Sequence, residues 1–93
     1  MILSVRHTVS DYATWKPAFD DHAASRKEHG AIRHQVLRGI GNPNEVSVII
    51  EFPATANAEA FLADPSLAEA MKSAGVQGAP TITLWDPEEE VVY

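Results

Sequence analysis

Ser10–Gly30, SDYATWKPAFDDHAASRKEHG, is the stretch whose reading decides the fold. Read as one helix, it places Tyr12, Trp15, Phe19, His22, Arg26 and His29 at steps of three and four, on one face. Lys16, Asp20, Lys27 and Glu28 fall on the opposite, solvated side. Ser10 or Asp11 can cap the first turn, and Gly30 stands where helices commonly stop. Pro17 removes one backbone donor, at a smaller cost near the start of a helix than in its middle. The stripe begins as aromatic core and continues, in register, as His, Arg and His. A purely structural helix would keep Leu, Ile or Val there. The helix is therefore expected to cover a core at one end and a polar pocket at the other.

On either side of this helix the chain alternates with a period of two. Upstream, Ile2–Val9 puts Leu3, Val5, His7 and Val9 on one face and Ser4, Arg6 and Thr8 on the other. Downstream, Ile32–Arg38 reads as a second strand, followed by turn chemistry over Gly39–Asn44. Glu45–Phe52 is the strongest strand, with Val46, Val48, Ile50 and Phe52 in line, and Pro53 ends it. An alanine-rich helical region, Ala54–Ala74, breaks at Asp64-Pro65, where Asp64 can cap a new helix. Phe61, Leu62, Leu67 and Met71 supply its buried side, and Gly75 is its stop. Thr81–Trp85 is the last strand, before an acidic tail whose Glu88–Glu90 run reads as solvated.

The order strand, helix, strand, strand, helix, strand is the ferredoxin-like βαββαβ plan of the α+β class. It implies one domain over residues 1–93, with a four-stranded antiparallel sheet and its helices on one face. The covered face should hold Leu3, Val5, Val9, Ile32, Val36, Val46, Val48, Ile50, Phe52, Ile82 and Leu84, with His7 and His34 pointing inward among them. The other face carries Arg6, Thr8, Arg33, Gln35, Leu37, Ile49, Glu51 and Trp85. That set is too polar for a core and too apolar for an ordinary wet face. A homodimer that packs it against a second copy accounts for the mixture, with Arg6 and Glu51 expected to pair inside the interface.

Composition narrows the function classes. The chain has 93 residues, 45 % of them apolar, and a formal charge of −6. An acidic balance argues against nucleic acid as a partner, because phosphate binding needs a basic face. The absence of cysteine excludes disulfides, thiolate nucleophiles and sulfur metal sites. No stretch reaches the length of a membrane span, and the first residues alternate like a strand instead of forming a signal peptide. A cytoplasmic protein with no membrane partner is the expectation.

Arg6-His7-Thr8-Val9-Ser10-Asp11-Tyr12, with Trp15-Lys16 and Phe19-Asp20 after it, resembles the start of small dimeric α/β-barrel proteins. Phe61-Leu62, Leu67, Ala70-Met71 and Ala74-Gly75-Val76, with Gly78 and Pro80, match the same pattern. These proteins are related to the antibiotic-biosynthesis-monooxygenase group and include cyclase-like members. The resemblance covers nearly the whole chain. It implies a ferredoxin-like homodimer closed into an α/β barrel. It also implies a small organic substrate lying between sheet and helices, and cofactor-free oxygenation, cyclisation or isomerisation.

The residues supply a chemistry of their own. His7, inward on an apolar strand face, is either a core histidine bonded to backbone or Tyr12, or a general base that burial keeps neutral. His22 and Arg26 either mark the helix leaving the core, with Arg26 snorkelling over it, or relay a proton and hold a phenolate, enolate or carboxylate. His34 is a further ligand contact, and Tyr12, Trp15 and Phe19 are core that can also wall an aromatic pocket. His29 suits a helix end. His7 and His22 are thus the catalytic candidates, and Arg26, His34, Trp15, Tyr12 and Phe19 the substrate-binding ones. No local HxxxH pair supports a metal, and neither metal nor other cofactor is expected. The substrate would be a phenol, an enol or an unsaturated lactone, polycyclic phenols included. The alternative is a non-catalytic dimer that binds a small ligand or serves assembly.

Overall fold

The computed structural model describes residues Met1–Tyr93. Eight elements follow in the order β1 (Ile2–Val9), α1 (Tyr12–Asp21), α2 (Ala23–Glu28), β2 (Arg33–Arg38), β3 (Glu45–Glu51), α3 (Thr55–Ala63), α4 (Pro65–Ser73) and β4 (Val76–Trp85). The sheet order is β2-β3-β1-β4, and all neighbours run antiparallel. This is the ferredoxin-like α+β plan.

Strand alternation sets the two faces of the sheet. Leu3, Val5, His7 and Val9 of β1 are buried, and the first three register with Ile50, Val48 and Val46 of β3, also buried. Trp15, Ala58, Phe61 and Ala74 close this face from the helix side. At about 25 cal/mol per Å² of apolar surface, this one layer provides most of the fold's hydrophobic stabilisation.

Several expectations need correction. Ser10–Gly30 is not one helix: α1 ends at Asp21, and His22, at φ −88° and ψ 7°, separates it from α2. The cause is local. Phe19 O accepts from the Arg26 guanidinium at 2.8 Å and from His22 N at 3.2 Å, in place of the regular helical donor. Gly30, at φ +86°, closes α2 as the sequence implies, and Asp64 caps α4 by accepting from Ser66 N at 2.9 Å.

The last strand begins at Val76 instead of Thr81. Its register against β1 slips between Arg6↔Thr81 and Thr8↔Gln77, so Gly78, Ala79 and Pro80 bulge opposite His7. Gly78, at φ +70°, and Pro80, which has no N–H, break the alternation that would have marked the strand. Ile82 and Leu84, in register with Val5 and Leu3, face the helix side but stay 43 % and 41 % exposed. Ile32, before edge strand β2, is exposed too. Arg6 and Glu51 do not pair. Glu51 stands opposite Ile2 in the register and binds Arg33 at 3.0 Å, while Arg6 lies 3.5 Å from Glu45.

Gly75 holds the α4–β4 corner at φ +82°, and a Cβ there would stand 2.5 Å from Ser10 Oγ. Gly75→Ala should lower stability by about 1–2 kcal/mol, the cost of a left-handed conformation for an L side chain. Gly41→Ala, where a Cβ meets nothing within 4 Å, is the control and should be near neutral. Urea denaturation of the two variants checks this.

Candidate functional site

The helix periodicity builds the site. Tyr12 and Trp15, three apart, lie 5.7 Å between ring centroids, and Trp15 stacks on Phe19, four further on, at 4.9 Å. The break at His22 then turns the chain so that Arg26 folds back over the Phe19 ring, 3.8 Å from its centroid. From β1, His7 meets the Trp15 ring edge-on at 5.7 Å. Sheet, α1, α2, α3 and α4 surround a half-open cavity of about 50 Å³ between these groups, room for a few water molecules. Its wall is mostly apolar, with Val5, Val48, Leu67 and Met71 among its members, and its polar groups are His7, His22 and Arg26.

His7 is 6 % exposed, and neither ring nitrogen has a protein partner. Burial lowers its pKa, opposed by the charge of Glu45, so the ring is neutral at pH 7 and offers one donor and one acceptor. His22 lies on the same wall but is engaged: its Nε2 is 3.0 Å from Ser66 Oγ. Burial and then Arg26 lower its pKa. Arg26 is 5 % exposed, and although burial lowers its pKa too, a guanidinium stays charged.

Of the candidates, His7, His22, Arg26, Trp15 and Phe19 line the cavity, and Tyr12 and His34 do not. Tyr12 braces Trp15 from outside and carries the Arg38 guanidinium 4.0 Å over its own ring. His34 sits on edge strand β2 and packs edge-on against Phe19 at 5.2 Å, with its pKa lowered by burial and then by Arg26.

Sequence reasoning missed the polar clasp beside the cavity. His29 Nε2 is 3.0 Å from Asp64 Oδ2, and Ser25 Oγ donates to the same oxygen at 3.4 Å. Hydrogen bonds from His29 and then Ser66 hold the Asp64 carboxyl well below the usual carboxylate range. Asp64 was legible as a cap, but its partner 35 residues away was not. No three His, Asp or Glu side chains converge anywhere in the chain.

No family model and no curated protein matches this sequence. Solved structures do match. One described as an antibiotic biosynthesis monooxygenase superposes with a TM-score of 0.73 at 14 % identity, covering 96 % of this chain and 100 % of that one. The fold is that of the antibiotic biosynthesis monooxygenases. SnoaB, a cofactor-independent oxygenase from Streptomyces nogalater, shares this fold at TM-score 0.72 and 20 % identity, over 94 % of this chain and 93 % of its own. Rv0793 from Mycobacterium tuberculosis shares it at 0.74 and 10 % identity, over 98 % and 97 %. No helix of the antibiotic biosynthesis monooxygenase fold, as this chain builds it, is long and apolar enough to cross a membrane.

The three lowered histidines give a pH dependence. For each, the unfolded chain binds a proton at a higher pH than the native state does. Native stability should therefore be full above about pH 6.5 and fall as the pH drops toward each lowered native value. Urea midpoints at pH 7.5 and pH 5 should show this fall, and His7→Gln should reduce it. Asp64 works in the same direction, but only at more acid pH.

Proposed function

We propose that the protein is a small-molecule enzyme of the antibiotic-biosynthesis-monooxygenase type, which abstracts a proton from a phenolic, enolic or lactone substrate without a bound cofactor. His7 carries the reading: it is a neutral imidazole inside an apolar cavity, with neither nitrogen committed to the protein. One nitrogen accepts the substrate proton, which is general base catalysis by an imidazole that burial keeps unprotonated at neutral pH. The stacked Trp15 and Phe19 rings give a conjugated substrate a flat wall. As the proton leaves, the charge left on the substrate lies in a cavity that Arg26 also lines, in a medium where charges act strongly.

The phenolate or enolate so formed is electron-rich. It can react with dioxygen, close a ring onto an internal electrophile, or take the proton back at another carbon. Oxygenation, cyclisation and isomerisation therefore share a first step. The likeness to SnoaB, a cofactor-independent oxygenase, supports the first of these. His22, on the same wall, is the second proton-handling group, with Ser66 fixing its ring. Tyr12 and His34 serve the substrate indirectly, by holding Trp15 and Phe19 in place.

A ligand-binding protein without catalysis is the second reading, favoured by the bond that already occupies His22. One titration tests the His7 contact on which both readings rest, and solvent-deuterium exchange into the bound lactone separates catalysis from binding. Follow the His7 ring resonances by NMR while adding catechol or an unsaturated butenolide. A base in contact with its substrate should respond, with binding weakening only as the pH falls below about 6.5 toward the lowered His7 value. His7→Gln should bind at least tenfold more weakly and lose the pH dependence. Unmoved His7 resonances, with equal binding by the Gln variant at every pH, would make His7 a core residue.

The same reading includes a homodimer through the outer sheet face. Leu37 and Trp85 are exposed there beside the partly buried Ile49, and Trp85 Nε1 donates to Ser4 Oγ at 2.8 Å, which fixes the indole across the face. Light scattering at micromolar concentration should give a dimer, and Trp85→Glu should shift it toward monomer by placing a charge in a desolvated contact.

A further inference from the structure

Arg26 is more deeply buried than its partners account for. No carboxylate lies within ion-pair distance of it. Its contacts are one hydrogen bond, from Nη2 to Phe19 O at 2.8 Å, and the face of the Phe19 ring. The rest of the guanidinium fork has no protein acceptor and keeps some contact with solvent on the open side of the cavity, since only the two His7 nitrogens are fully buried without a partner. Asp20 raises its pKa through space without touching it. Buried charges are ordinarily paired, because desolvation of an unpaired one is costly. One carbonyl and one cation–π contact are small compensation. A negative charge that appears only during proton transfer would still leave this cation without a partner in the resting complex.

We infer that the ligand enters as an anion, a small organic carboxylate whose carboxylate group pairs with Arg26 while its acidic phenol, enol or C–H group faces His7. The carboxylate geometry suits the fork, which binds two oxygens at once. The size of the cavity sets the other limit. At about 50 Å³ and half open it falls well short of the roughly 150 Å³ that encloses a benzene ring, so even a one-ring ligand leaves part of its body in the open side, and a fused-ring body fits less well still. Its wall is otherwise apolar, so the body of the ligand carries few further polar groups. This substrate class rests on the proton-abstraction reading and narrows it: one ring, one permanent charge, one transferable proton.

Benzoate and benzamide have the same shape and differ in charge, so the pair isolates Arg26. We would titrate each into the wild-type protein by calorimetry and follow the His7 resonances in parallel, with anthracene-9-carboxylate as the fused-ring probe. The expected result is benzoate binding at least tenfold tighter than benzamide, with His7 shifts, and no binding of the anthracene acid. Arg26→Gln should bring the benzoate-to-benzamide ratio near one, and Arg26→Lys should keep part of it. Because Arg26 also holds the α1–α2 break, the wild-type comparison decides if the Gln variant fails to fold. Benzamide that binds as tightly as benzoate and moves His7 equally overturns the anion inference and leaves the His7 reading standing. Benzoate that binds without moving His7 sits elsewhere, which overturns both. Binding of the anthracene acid as tight as benzoate overturns the single-ring limit.

Discussion

The Arg26–Phe19 contact is the constraint on which the cavity depends. One side chain satisfies the Phe19 carbonyl that an unbroken helix would give to a backbone donor, and the same guanidinium covers the Phe19 ring. With that carbonyl taken, the helix ends at Asp21 and restarts at Ala23. The turn at His22 brings its ring to Ser66 and sends His29 to Asp64. A straight helix would carry both histidines onward along one line. The break therefore places a cation in the cavity and ties α2 to the start of α4.

The cavity wall is unevenly anchored. The sheet side is buried and regular, whereas α4 contributes Leu67, Ala70 and Met71 to the wall without one fully buried residue of its own. Its hold at the N-terminal end is polar: the Asp64 cap, the His29 bond and the Ser66–His22 bond. Its far end turns on Gly75. The side of the cavity with the fewest apolar contacts is thus the side held by hydrogen bonds, which are individually modest and exchangeable with water.

Much of this was legible in the sequence, for identifiable reasons. Alternation in β1 and β3 is strict because one face meets the helices and the other does not, so His7 was placed inward from Val5 and Val9 alone. The three- and four-residue spacing of Tyr12, Trp15 and Phe19 became the observed stack. Periodicity could not show the break at His22, because a side chain bonding to a backbone oxygen leaves the apolar pattern intact. It could not show that five of the seven marked side chains line the cavity while Tyr12 and His34 stand off it, because that depends on how the helices sit on the sheet. The Arg6–Glu51 expectation failed on register, which neighbouring strands do not reveal one at a time. The exposure of Ile82 and Leu84 on an outer strand depends on what covers that edge, which their own alternation does not encode.

The bulge at Gly78–Pro80 has a consequence for solubility. β4 is an outer strand of the sheet, and its Thr81–Trp85 portion carries Ile82, Leu84 and Trp85 in partial contact with water. A long, flat, apolar edge of that kind is a template for strands of other chains. Pro80 supplies no N–H, and the bulge bends the backbone away from the plane a foreign strand would have to follow. On the opposite edge, β2 presents Arg33 and Arg38, charged side chains that a foreign strand would have to desolvate. A sheet with two free borders is thereby guarded on each by a different device, one of shape and one of charge, and the chain can expose apolar side chains at its rim without presenting an uninterrupted track for fibril growth.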